Sequence, residues 1–98
     1  MPAGPTLMHR NGMSLLSLRS EVLSEATMNA LRSADVILIG DGCRRLPRQL
    51  ANLVKDGAVV ATHPTLHWSY ERKMLAEAEN LGLRIHSIRY DGPLHFFQ

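Results

Sequence analysis

Four consecutive aliphatic side chains, Val36-Ile37-Leu38-Ile39, run without a polar interruption and then break into Gly40-Asp41-Gly42. An unalternating run of that length predicts a strand covered on both faces, as in the parallel sheets of α/β proteins. Ala58-Val59-Val60-Ala61-Thr62 repeats the pattern and stops at His63-Pro64, where proline has no N–H to give a sheet. Met13 to Arg19 reads as a further strand, with Leu16 and Leu18 alternating against Ser17 and Arg19, although Leu15, Leu18, Val22 and Ala26 also fit helical spacing. Leu83 to Tyr90 alternates only as far as His86 before its apolar side changes, which suits an edge strand.

Helical spacing fills the intervals. Ser24 to Ala34 predicts a helix with Ser24 as its N-cap and Ala30, Leu31 and Ala34 on the apolar side. Leu46, Leu50, Leu53 and Val54 predict a second, with Pro47 in its first turn and Gly57 as its stop. Thr65 is placed to cap the longest, whose stripe Leu66, Tyr70, Met74, Ala78 and Leu81 ends at Gly82. The order β-α-β-α-β-α-β predicts an α/β fold: a small three-layer sandwich with a mostly parallel four-stranded sheet, flavodoxin-like or half-Rossmann. Residues 1–12, ending on the turn dipeptide Asn11-Gly12, are expected as a flexible N-terminal tail, and residues 13–98 as a single domain.

Composition narrows the class. In 98 residues, 45% hydrophobic and 20% charged positions belong to a globular chain rather than a disordered one. Eleven basic against nine acidic side chains leave a formal charge of +2, too small to require an acidic partner. One cysteine excludes an internal disulfide and a cysteine-built zinc site. No apolar run reaches the roughly 20 residues of a membrane helix, so no membrane partner is expected and the cytoplasm is the default location.

The candidate chemistry lies at the C-terminal ends of the two apolar strands, where ligands of open parallel sheets bind. Gly40, Asp41 and Gly42 form a turn ahead of a helix start, with Arg44 and Arg45 beside it and His63 and Thr65 opposite. Free amides at a helix N-terminus together with guanidinium groups make an anion site. The turn matches neither a Walker loop nor a dinucleotide fingerprint, since no Gly-Lys-Ser/Thr follows and position 45 is Arg45. A tight turn flanked by solvated arginines is the plainer reading.

Cys43 next to a helix start and two arginines is a candidate nucleophile. A phosphatase-type loop needs an arginine six positions later, however, and Gln49 stands there, so a packed cysteine is the expectation. His63 and His67 lack the secured helical spacing and the intervening acid of a zinc site, and no cofactor is assigned. The functional expectation is a small anion-binding module for a phosphate-bearing nucleotide or a nucleic-acid backbone. The alternative is a non-enzymatic assembly or homo-oligomerisation module using Trp68 and the apolar tail Leu94 to Gln98. A weaker alternative is a small transferase or hydrolase using Cys43 or His63.

Overall fold

A computed structural model describes residues 7–94. The strands β1 (Leu7–Arg10), β2 (Met13–Leu18), β3 (Val36–Ile39), β4 (Val59–Thr62) and β5 (Ile85–Ser87) pair in the order in which they occur in the chain. β2 to β5 are parallel, and β1 is antiparallel to β2. The helices are α1 (Glu25–Ser33), α2 (Leu50–Leu53), α3 (Trp68–Leu81) and α4 (Ile88–Asp91).

The protein is therefore α/β, but its sheet is mixed and five-stranded rather than four-stranded. Asn11 (φ 54) and Gly12 (φ 77) both take left-handed backbone, the conformation of a two-residue hairpin turn, and fold residues 7–10 back against β2. Positions 7–12, assigned from the sequence to a tail, thus belong to the sheet. Residues 1–6, and residues 95–98 of the expected apolar tail, lie outside the described part.

The layering differs as well. Registered residues on neighbouring parallel strands point to one face, so Leu16, Ile37, Val60 and Ile85 form one row and Leu18, Ile39, Thr62 and Ser87 the next. Leu31 of α1, Leu50 of α2, and Met74 and Ala78 of α3 pack into a single core with the apolar members of these rows. Each crossover steps to the next strand in the same direction, and crossovers of constant hand then place their helices on the same side. Flavodoxin-like and Rossmann sheets reverse direction at a switch point and so acquire a third layer. This sheet does not reverse. Its opposite face carries Met8, Leu15, Val36 and Val59 in one row and Ser17, Leu38, Ala61 and His86 in the next, and none of α1, α2 and α3 covers it.

Local chemistry sets the helix limits. Ser24 caps α1 by accepting from the Thr27 amide at 3.1 Å. α2 is a single turn beginning at Leu50, not a helix from Leu46, because Pro47 disfavours helical backbone in the residue before it. Leu46, Leu50, Leu53 and Val54 still meet the core, reached by a loop and one turn. His67, not Thr65, caps α3, its Nδ1 accepting from the Ser69 amide at 3.2 Å, while Gly82 (φ 69) closes the other end. The last expected strand is cut at Ser87, which caps α4 through the Tyr90 amide as Asp91 accepts from the Ser87 amide at 2.9 Å. That switch from strand to helix explains the change of apolar side at Ile88. Among the described residues no helix is long and apolar enough to cross a membrane.

Asp35, just ahead of β3, ties the start of β2 to Lys55 in the loop after α2. One carboxylate oxygen accepts from the Ser14 amide at 2.8 Å, and the other lies 2.5 Å from Lys55 Nζ. The hydrogen bond from Lys55, and next that from the Ser14 backbone, lowers the carboxyl to about 2 from 3.8. A depressed acid contributes stability above its unfolded value and loses it as pH falls through its folded value. In urea unfolding, Asp35→Asn should therefore cost most stability above pH 3.8, and the difference from the wild type should close as pH approaches about 2.

Candidate functional site

The cleft that gathers polar side chains at the C-terminal ends of β2, β3 and β4 has a volume of about 240 Å³. Ser17, Leu18 and Arg19 line it from the end of β2, Leu38, Gly40 and Asp41 from the end of β3, and His63 and Thr65 from the loop after β4. Ser17 and Leu38 belong to the sheet face away from α1, α2 and α3, so the cleft opens where that face meets the loops.

The His63–Thr65 pair is internally ordered. Thr65 donates its amide N–H to His63 Nδ1 at 3.1 Å, and its hydroxyl oxygen lies 2.8 Å from the same nitrogen. An amide N–H can only donate, so Nδ1 is the acceptor and the proton of the neutral ring sits on Nε2. Arg19, which lines the cleft, makes no ion pair among the described residues.

The turn after β3 is held by backbone packing. Gly42 has φ +98, and a Cβ there would stand 2.1 Å from the Arg19 carbonyl oxygen. Only glycine lets the exits of β2 and β3 approach so closely. Cys43, next in the chain, is 1% exposed and reaches the Leu18 carbonyl at 3.6 Å. Burial, and then the Glu21 and Asp41 carboxylates, push its thiol up to about 11. At neutral pH the sulfur is protonated and enclosed, the opposite of an activated nucleophile.

Of the residues singled out in the sequence, Gly40, Asp41, His63 and Thr65 come together in the cleft, and Gly42 shapes its wall. Arg44 and Arg45 do not line it. The helix N-terminus expected beside them is absent, since α2 starts only at Leu50, and the Arg44 amide is already taken by Glu21 Oε2 at 2.8 Å. An internal carboxylate thus holds the place given to an external anion. Arg19 is the guanidinium that sequence reasoning missed. Its place at the end of a strand parallel to β3 was the available signal.

A buried network behind the cleft was also missed. Glu71, fully buried on α3, accepts at Oε2 from Thr62 Oγ1 at 2.6 Å and from Ser87 Oγ at 2.8 Å. Its Oε1 has no hydrogen bond and faces Arg89 Nη1 at 3.4 Å. Its spacing to Met74 and Ala78 puts it on their buried face.

No group of three or more His, Cys, Asp or Glu side chains suited to a metal ion occurs among the described residues. Comparison with known protein families, curated proteins and solved structures finds no match to this chain.

Gly42→Ala should lower unfolding free energy by at least about 2 kcal/mol, since it adds both a backbone clash and a disfavoured φ. Chemical denaturation measures this directly, and a loss below about 0.5 kcal/mol would show that the two strand exits can separate freely.

Proposed function

We propose that the protein binds a small phosphate-bearing ligand, most simply a mononucleotide, in the cleft between Arg19 and His63. The observation that carries this reading is the convergence on one cleft of Arg19, which makes no ion pair among the described residues, of His63, whose imidazole keeps its proton on Nε2, and of the hydroxyl-bearing Ser17 and Thr65. These groups suit phosphate oxygens, with Arg19 supplying charge and the others direction. Asp41 on the same rim opposes a bare anion but accepts well from a sugar hydroxyl. At about 240 Å³ the cleft is small beside ordinary ligand pockets, which favours a sugar phosphate portion over a dinucleotide. The single strand of a nucleic acid presents the same unit.

A ligand at a hundredfold excess over its Kd stabilises the folded state by about 2.7 kcal/mol. Thermal unfolding with inorganic phosphate, ribose 5-phosphate and mononucleotides should show this shift for the sugar phosphates. Arg19→Ala or His63→Ala should remove it, whereas Arg44→Ala with Arg45→Ala should leave it in place. Absence of any shift in the wild type across this series would refute the reading.

The sheet face away from α1, α2 and α3 favours one further reading, self-association. Val36 and Ala61 are buried there, but Leu15, Leu38 and Val59 are only half-buried and Met8 is exposed, an apolar surface of the kind that marks a contact between proteins. Light scattering should then give a mass above one chain, reduced to the monomer by Leu15→Asp, a position away from the cleft. A wild type that stays monomeric at high concentration and high salt argues decisively against this second reading.

A further inference from the structure

We propose that Arg89, on α4, is a positioning residue for the cleft, acting through the peptide group that joins Pro64 to Thr65. The guanidinium donates from Nη2 to the Pro64 carbonyl at 2.7 Å and also to the Leu66 carbonyl. The Pro64 carbonyl and the Thr65 N–H are the two ends of one planar unit, pointing in opposite directions. Arg89 grips one end. The other end donates to His63 Nδ1 at 3.1 Å.

Fixing the carbonyl therefore fixes the direction of the N–H, and that N–H decides which imidazole nitrogen is left to donate at the cleft. Polarisation acts in the same sense, because a cation on the carbonyl oxygen makes the N–H of the same amide a stronger donor. The grip is itself oriented. Glu71 is held at Oε2 by Thr62 and Ser87, and its Oε1 faces Arg89 Nη1 at 3.4 Å, so the guanidinium has a buried counter-charge on one side and two carbonyls on the other. A lysine offers one ammonium in place of this fork and cannot serve all three acceptors in the same geometry.

The functional meaning of this arrangement rests on the cleft being the binding site, but its first test needs no ligand. In 15N-labelled protein at mildly alkaline pH, where imidazole is neutral, a scalar coupling across the hydrogen bond should join Thr65 N and His63 Nδ1. Arg89→Ala should abolish the coupling while the amide resonances of β2 to β5 stay dispersed. Should the single variant fail to fold because Glu71 is left unpaired, Arg89→Ala combined with Glu71→Gln removes the orphaned charge and is read in the same way. A coupling that persists in either folded variant, or is missing from the wild type, overturns the proposal.

The second arm measures affinity for ribose 5-phosphate. Arg89→Ala should weaken it about tenfold, and adding Arg89→Ala to His63→Ala should cost nothing more than His63→Ala alone. Fully additive losses would overturn a role through His63. A wild type that binds no phosphate ester would refute the cleft reading alone, leaving the coupling to decide the place of Arg89.

Discussion

A carboxylate carried out of water must find its partners inside the protein, and Glu71 finds them on three other elements. Thr62 comes from β4, Ser87 from the junction of β5 and α4, and Arg89 from α4 itself. Such a buried pair is a poor source of net stability, because desolvation consumes most of the Coulomb attraction. Its effect is geometric. α3 cannot rotate without stripping Glu71 of two hydroxyl donors, and α4 cannot leave without exposing a buried charge to an apolar interior. One side chain thus fixes how the last helix, the last two strands and the loop after β4 meet.

The cleft inherits its form from that meeting and from the pairing order of the strands. Because the helices share one face, the loops leaving β2, β3 and β4 are crowded only from one side, and the cleft stays open toward the other. Two close contacts then define its walls. Gly42 lies against the Arg19 carbonyl on one side, and the Pro64–Thr65 peptide is held between Arg89 and His63 on the other. Glu21 takes the Arg44 amide and Cys43 is buried beside it, and the arginines at 44 and 45 do not line the cleft they were expected to join.

The sequence was most legible where apolar periodicity and a cap agreed. β2, α1, β3, β4 and the C-terminal stop of α3 fall where spacing, Ser24 and Gly82 place them. It was least legible where a polar side chain had a tertiary task. Spacing puts Glu71 on the face of Met74 and Ala78, unlike the exposed Glu77 and Glu79, but the partners that satisfy a buried carboxylate there, at 62, 87 and 89, are distant in the chain. The Asn11-Gly12 signal was visible, but β1 is only four residues long and has no clear alternation, and its strand character depends on the edge that β2 offers. The cleft was half legible: carboxyl-terminal strand ends point to Asp41, His63 and Thr65, whereas Arg19 becomes a neighbour only through parallel pairing of β2 with β3. The layer count was misjudged because two-sided apolar runs resemble the centre of a three-layer fold even when α1, α2 and α3 all pack on one side.

Consecutive pairing also has a consequence for how the chain is made. Registered partners on the parallel strands lie 21 to 25 positions apart, and no strand has to insert between two others already joined. The loops to be closed are short, so the entropy lost at each closure is modest and nearly the same at every step. A chain emerging from the ribosome with its N-terminus first can extend the sheet one strand at a time, each newcomer meeting the free edge of its predecessor. Glu71 emerges after Thr62 but before Ser87 and Arg89. Its buried charge therefore gains its last partners only once β5 and α4 have been made.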